Sequence, residues 1–263
     1  VGIARLRVDG SLDTTFPALA GGMDGSIYAL ARQADGKILV GGYFFTMNGS
    51  NIANLARLNA DGSLDASFQP QPNASVRAII VQPDQRIVIG GVFTSVAGVS
   101  RAFFARLQPD GSLDTGFASG GGPDNLIVGL GSLADGRLML AGHFRNYAGT
   151  LRSLLARVNT DGSLDGGFDP GSGPALPINN RDLAVLPDGR CYLGGSVNGY
   201  QGRFSSVTRV LPSGATDTNF PIIQAVGAVS LTSFTVQPSG KVVLAGNFTS
   251  LNLGATFPPT TLA

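Results

Sequence analysis

Residues 57–65 read Arg-Leu-Asn-Ala-Asp-Gly-Ser-Leu-Asp, and close copies of this stretch recur along the whole 263-residue chain. The string DGSLD stands at residues 9–13, 61–65, 110–114 and 161–165, and a diverged copy, SGATD, stands at 213–217. The glycines of successive copies lie 52, 49, 51 and 52 residues apart. A second series, ADGK, PDQR, ADGR, PDGR and PSGK, begins at residues 34, 83, 134, 187 and 238. Such regular spacing indicates a repeat architecture.

Both series predict tight hairpins. In residues 57–65 a three-residue loop pairs Leu58 with Leu64 and Arg57 with Asp65, and its last position suits a glycine in the left-handed conformation. A two-residue loop would instead place Leu58 opposite Asp65 and bury a carboxylate against a leucine, which is costly. The three-residue loop is therefore the predicted one.

Two hairpins in each period make four antiparallel strands, which in one period we expect near residues 76–82, 86–94, 103–108 and 112–117. Four strands in every 40–50 residues are typical of a β-propeller blade. The chain opens with the third and fourth strands of a blade, residues 3–16, and closes with the first and second, residues 231–249. We therefore expect an all-β, five-bladed β-propeller whose ring is closed by strands from both termini.

This architecture predicts a single domain over residues 1–257. Its repeats are expected near residues 3–52, 53–102, 103–153, 154–205 and 206–250. Residues 258–263, rich in Pro and Thr, resemble the start of a linker.

The composition excludes several classes of protein. Charged residues are 13% of the chain, all 17 acidic residues are Asp, and only two residues are Lys, so long helices are not expected. A net charge of +1 gives no electrostatic footprint for nucleic acid, and no apolar stretch approaches the length of a membrane span. A single Cys cannot form an internal disulfide.

The combined motif resembles a known family. The string ARLNADGSLDASF, followed by VQPD, an apolar strand and GGVFTSVAG, is similar to the bacterial delta-60 repeat β-propellers. The resemblance covers nearly the whole chain in five copies. It implies a secreted or cell-surface propeller, often beside other domains, and it brings no catalytic residues.

Removing the residues that the repeat itself explains isolates candidate site residues. Thirteen of the 17 aspartates belong to the hairpins or face the recurrent arginine. The other four lie in or just after the connections from an outer strand to the next blade's inner strand: Asp24, Asp124, Asp169 and Asp182. Such connections emerge on one face of a propeller, around the central channel, where a site is expected.

The register of the repeat extends this set around the channel mouth. The predicted ligand-binding residues are Asp24, Asn73, Arg77, Asp124, Asn125, Asn180, Arg181 and Asp182. Polar side chains at a channel mouth either bind a small or oligomeric ligand or merely hold water, and the sequence leaves both open.

Other chemistry is poorly supported. A calcium loop needs an acid where the repeat has Arg57, so we predict no metal site and no cofactor. Cys191 occupies a repeat position that is apolar in the other copies, which predicts a core residue. His143 occupies a repeat position whose residue type differs from copy to copy. Tyr147 and Tyr200 share their slot with aliphatic residues, which favours packing over sugar stacking.

Three functional hypotheses remain. The first is a non-enzymatic extracellular or cell-surface recognition or scaffold module that binds glycan or protein through the loop face. The second is a structural building block of a surface assembly or filament, with like subunits or neighbouring domains as partners. The third is an Asp-dependent glycosidase- or lyase-like enzyme using Asp24, Asp124 and Asp182, which would need paired carboxylates at set separations.

Overall fold

The computed structural model describes residues 2–16, 22–118, 120–174, 183–194, 200–201, 205–226, 230–237 and 239–253. This part of the chain is all-β and contains no helix. Within it there is accordingly no helix long and apolar enough to span a membrane.

The first three full repeats each contain a three-stranded antiparallel sheet. Their strands are β1 (Ser26–Arg32), β2 (Ile38–Tyr43) and β5 (Leu55–Leu58); β6 (Val76–Val81), β7 (Ile87–Gly91) and β10 (Phe104–Leu107); and β11 (Ile127–Ser132), β12 (Leu138–Gly142) and β15 (Leu155–Val158). The second strand is central in each sheet; β7 and β12 are buried throughout, and β2 is buried except at its ends. These sheets lie where the alternation of apolar runs and turn signals predicts strands.

The predicted hairpin geometry is present. Leu58 bridges Leu64, and the amide of Asp65 donates to the carbonyl of Arg57 at 2.8 Å. Gly62 has a φ of 91°, the left-handed conformation that the three-residue loop requires. Gln85, which replaces the glycine in one hairpin, adopts the same region with a φ of 65°.

The expectation of four regular strands in each blade is only partly met. The outer segment of each repeat pairs through one isolated bridge: Leu6 to Leu12, Leu58 to Leu64, Leu107 to Leu113, Val158 to Leu164, and Val210 to Thr216. The chain turns immediately afterwards, because Phe68 donates to the carbonyl of Asp65 and the Asp65 carboxylate accepts the amide of Ser67. This turn ends the pairing before a fourth strand can extend.

Short hairpins that the sequence did not predict fill the long loops between the second and third strands. They are β3 (Thr46–Met47) with β4 (Ser50–Asn51), β8 (Ser95–Val96) with β9 (Val99–Ser100), and β13 (Asn146–Tyr147) with β14 (Thr150–Leu151). Bridges join them to the incoming connection, as Met23 pairs with Met47 and Pro72 with Val96. These loops and connections form one end of each repeat, which we call the loop face, opposite the glycine hairpins.

The last part of the chain has a different sheet order. One sheet runs β16 (Leu183–Val185), β17 (Cys191–Gly194), β18 (Val207–Val210), β19 (Ile223–Val226) and β22 (Ser250–Leu253), and β20 (Ser230–Val236) pairs with β21 (Val242–Asn247). The chain forms two compact units, residues 1–127 with 161–163, and residues 128–160 with 164–263. The first contains one apolar cluster around Phe44 and Met47 and another around Phe93, and the second contains one around Tyr192 and Val207.

Candidate functional site

The hairpin aspartates serve the scaffold. In the first hairpin series the turn carboxylate accepts hydrogen bonds from the serine two residues later, as Asp61 does from the amide and hydroxyl of Ser63 at 2.9 and 2.7 Å. These bonds lower the pKa of Asp61 below its usual value, because they stabilise the ionised carboxylate. The same turn recurs at Asp9, Asp110 and Asp161.

The recurrent arginines are also structural. In all five copies the Nε atom of the arginine lies 2.7–2.9 Å from a carboxylate oxygen of the facing aspartate: Arg5–Asp13, Arg57–Asp65, Arg106–Asp114, Arg157–Asp165 and Arg209–Asp217. The predicted pairing is therefore confirmed, and the carboxylate oxygens face cations supplied by the protein.

Asp24 and Asn73 occupy equivalent positions and make equivalent contacts. The Asp24 carboxylate accepts the amides of Thr46 and Phe45 at 3.0 and 2.8 Å. These two bonds, the one from Thr46 first, lower its pKa. The Asn73 carbonyl oxygen likewise accepts the amides of Thr94 and Ser95, at 2.8 and 3.0 Å. The repeat thus gives both side chains a structural role at the loop face, which sequence reasoning missed, while their contact with a ligand stays a prediction.

The remaining predicted residues are placed as follows. Arg77 interrupts the register of β6 and stacks over the Tyr28 ring at 5.4 Å, so its guanidinium faces an aromatic neighbour. The Asn125 carbonyl oxygen accepts the amide of Leu126. Asp124 lies in the connection before β11 and is engaged in polar contacts. Asn180, Arg181 and Asp182 lie outside the described residues.

The loop face of the first two repeats contains a cleft of about 340 Å³ between the loop after β2 and the connection before β6. Buried apolar residues line part of it: Ile52, Leu55, Pro70 and Pro72. The polar lining consists of side-chain amides: Asn51, Gln69, Gln71 and Asn73. Its volume lies at the lower end of the range typical of small-ligand sites.

An exposed aromatic pair borders this cleft. Phe45 lines it, and its ring meets that of Tyr43 edge to face, with 5.2 Å between the centroids. Phe45 is 53% exposed and Tyr43 is 51% exposed. Two half-exposed rings side by side form an apolar surface that the packing of the repeat does not use.

Gln71 holds a strained backbone conformation at the same place. Its φ is 50°, in the left-handed region that is unfavourable for a side chain with a Cβ atom and that nine other described non-glycine residues of this chain also adopt. Equivalent positions in other repeats carry glycine, with φ of 80° at Gly22 and 62° at Gly173. All three carbonyls accept a backbone amide, that of Asn48 at Gly22, of Ala97 at Gln71 and of Gln201 at Gly173. This backbone conformation is therefore less favourable with glutamine than it would be with glycine.

Sequence reasoning did not single out this cleft. The candidate residues were found among the aspartates that the repeat does not explain, whereas the cleft is lined by side-chain amides and an aromatic ring. The signal was present: Phe45 stands where Thr94 and Arg145 stand in other repeats, and Gln71 stands where glycine recurs.

Three residues predicted to pack do so. Tyr147 and Tyr200 are completely buried, and the Tyr200 hydroxyl donates to the carbonyl of Gly214. Cys191 is also completely buried, and this burial raises the pKa of its thiol to about 12. These side chains are unavailable for stacking or nucleophilic chemistry at the surface.

Comparisons with known proteins agree with the repeat. The profile of a family described as "Domain of unknown function (DUF5122) beta-propeller" matches residues 1–16, 33–68, 82–117 and 133–168. Comparison with curated protein sequences gave no match.

Two solved structures are similar in fold. One is the WD40 β-propeller domain of Doa1, with a TM-score of 0.52 and 15% identity over 86% of this chain, which spans 62% of the Doa1 chain. The other is XC5397 of Xanthomonas campestris, a gluconolactonase, with a TM-score of 0.52 and 16% identity over 93% of this chain and 75% of that one. At these identities the likeness concerns the fold alone, and it shows a β-propeller domain.

Proposed function

We propose that the chain is a non-enzymatic recognition or scaffold module, built as a closed five-bladed ring, that binds glycan or protein through its loop face. The observation that carries this proposal is the cleft beside Phe45, which combines apolar walls with uncharged amides. The resemblance to bacterial delta-60 propellers supports a place outside the cell or at its surface. Neighbouring domains of a longer chain are then the expected covalent partners.

The use of the carboxylates favours binding over catalysis. The described hairpin carboxylates are held by their own turns or by arginines, so they are poorly placed to exchange protons with a substrate. One carboxylate oxygen of Asp24 accepts hydrogen bonds from two backbone amides of the protein. A site of amides, prolines and aromatic rings recognises shape and hydroxyl groups and supplies no acid or base.

A second proposal, a building block of a surface assembly, has its own supporting observation. Leu6 and Leu12 are 64% and 55% exposed in the first hairpin. Leu58, which takes the place of Leu6 in the next repeat, is completely buried beside β2. An exposed apolar strand of this kind can pair with another copy of the chain as well as with the chain's own end.

A glycan array probed with the purified chain tests the recognition function. We expect binding. A ligand held by the predicted channel-mouth residues would be lost on the combined change of Asp24, Asp124 and Asp182 to Asn, with little change in melting temperature. Stability should survive because Asn73 already makes the Asp24 contacts with an amide oxygen. Binding that survives the triple change would place the ligand away from the channel mouth. An array without binding, with filaments under the electron microscope, would favour the assembly.

A further inference from the structure

We propose that the cleft between the loop after β2 and the connection before β6 binds a neutral saccharide ring, stacked on Phe45 and read by the amides of Asn51 and Gln71. The inference rests on the proposed recognition function and names its ligand class and its site. It also moves the main contacts from the aspartates of the channel mouth to an uncharged surface between two neighbouring repeats.

The charge of the lining favours a neutral ligand. The described residues that line the cleft include no arginine, lysine, aspartate or glutamate. An anionic sugar or a phosphate would lack a cation to balance its charge there, and a metal ion would lack a carboxylate. A neutral ligand carries no such requirement.

The mixture of groups favours a sugar. A pyranose has an apolar C–H face and a rim of hydroxyls, each of which both donates and accepts hydrogen bonds. Phe45 offers an exposed apolar ring to the face, and the amides offer both a carbonyl acceptor and an NH₂ donor to the hydroxyls. Among the described residues, the side-chain amides of Asn51 and Gln71 have no partner within the protein, so they are free to bind. Asn73 and Gln69, in contrast, already donate to Thr94 and to the carbonyl of Ala66.

A buried amide positions one wall of the cleft. Asn54 is 2% exposed, and its NH₂ group donates to the carbonyl of Pro72, a residue of the cleft wall, at 3.1 Å. Its carbonyl oxygen is buried and has no hydrogen-bond partner among the described residues. Asn54 does not itself line the cleft, but its NH₂ group holds the Pro72 carbonyl and so positions the wall that Pro72 forms.

A change at Gln71 distinguishes most clearly between a loss of binding and a loss of stability. Only its side chain distinguishes this position from the glycines of other repeats, and the backbone bears strain to keep it. We infer that the glutamine is kept at this position for its side chain, which the turn itself does not require. Replacing Gln71 by Gly should therefore weaken saccharide binding while leaving the melting temperature equal to or above that of the wild type.

The experiment uses an array of neutral and acidic oligosaccharides, followed by calorimetry with the tightest-binding neutral one. We expect the wild type to bind neutral oligosaccharides, and Phe45→Thr, which installs the residue of the next repeat, to lose tenfold or more in affinity. Gln71→Gly should lose several-fold. Leu151→Thr removes an equally exposed apolar side chain from a loop hairpin of another repeat and should bind like the wild type.

Each other outcome contradicts the proposal in a distinct way. Binding that survives Phe45→Thr and Gln71→Gly but is lost in the triple Asn variant would overturn the cleft and keep the recognition function at the channel mouth. Binding restricted to acidic oligosaccharides would overturn the neutral ligand class. An array with no saccharide bound at all would overturn the saccharide site, and the recognition function would then require a protein ligand.

Discussion

Arg57 connects three parts of the scaffold through one side chain. It is 6% exposed, its Nε donates to Asp65 at 2.9 Å, and another of its nitrogens donates to the carbonyl of Pro109 in the next repeat at 2.6 Å. Its guanidinium also lies 4.4 Å from the centroid of the Phe68 ring. A cation with this many partners stabilises the contact between neighbouring repeats and balances the charge of the Asp65 carboxylate.

Removing either member of this pair should be strongly destabilising. We expect Arg57→Ala and Asp65→Ala each to cost about 3 kcal/mol or more, because each leaves a buried charge without its partner. Asp65→Ala should cost more, since Lys37 also donates to Asp65 at 2.8 Å and loses its partner too. The double variant should lose less than the sum of the single losses, measured by denaturant unfolding.

The first copy of the pair supplies the control. Arg5 is more exposed than Arg57, with 40% of its side chain accessible against 7%, so Arg5→Ala should cost about 1 kcal/mol or less. Neither calcium nor a chelator should change the melting temperature. Strictly additive losses at Arg57 and Asp65, or a fall in melting temperature with chelator, would contradict the structural role of the hairpin aspartates.

The glycine hairpin is the element that repeats most faithfully, and its packing explains why. Gly111 has a φ of 96°, and a Cβ atom there would lie 2.7 Å from the Phe68 ring of the preceding repeat. The turn is therefore constrained by its own backbone and by its neighbour. The aspartate of each such turn accepts hydrogen bonds within the same turn, as Asp61 does from Ser63, so the hairpin itself stabilises the carboxylate.

These carboxylates predict how stability depends on pH. Hydrogen bonds from Thr15, followed by the Arg5 contact, lower the pKa of Asp13 to about 2. Burial raises the pKa of Asp65, but hydrogen bonds from Lys37, Ser67 and Arg57 outweigh it and hold the pKa well below its usual range. A carboxyl whose pKa is lower in the folded state stabilises the fold above its unfolded pKa of about 3.9.

We therefore expect the free energy of unfolding to be flat near neutral pH and to fall as the pH drops from about 4 towards 2. Urea unfolding at a series of pH values measures this directly. Asp65→Asn should show a shallower fall over the same range, because one of the titrating groups is gone. Stability that rises on acidification would mean that the carboxylates repel one another in the folded state.

Much of the fold could be predicted because its determinants are local. The hairpin register could be predicted because the alternative would place Leu58 opposite Asp65, which is unfavourable. The structure confirms the predicted pairing of Leu58 with Leu64. The short fourth strand could not be predicted, since it depends on a turn that the Asp65 side chain stabilises. The strain at Gln71 was equally hidden, because a backbone angle in a connection is set by contacts with a loop of the following repeat.

At the level of the whole chain, the proposed closed ring requires the first hairpin to pair with a strand near the other end of the chain. Leu6 is exposed, whereas its equivalent Leu58 is covered by β2 through the pairing of Leu58 with Ile38. Val242 of β21 is the residue that the repeat places opposite Leu6. A closed ring would therefore bury the first hairpin against β21 and remove an exposed sheet edge.

The most direct test of this ring is a disulfide between its two ends. Ala56 pairs with Val40 in the first full repeat, so the same register places Ala4 opposite Leu244. Facing residues of antiparallel strands have Cα atoms about 4.5–5.5 Å apart, which a disulfide can span, and Cys191 is too buried to compete.

The measurement is the mass and oligomeric state of the Ala4→Cys, Leu244→Cys variant after mild oxidation, with and without reductant. The ring predicts a disulfide within one chain, a monomer on size exclusion, and a gain of about 2–4 kcal/mol in stability. Two free thiols, or a disulfide that forms only between chains, would contradict a ring closed by the two ends of one molecule.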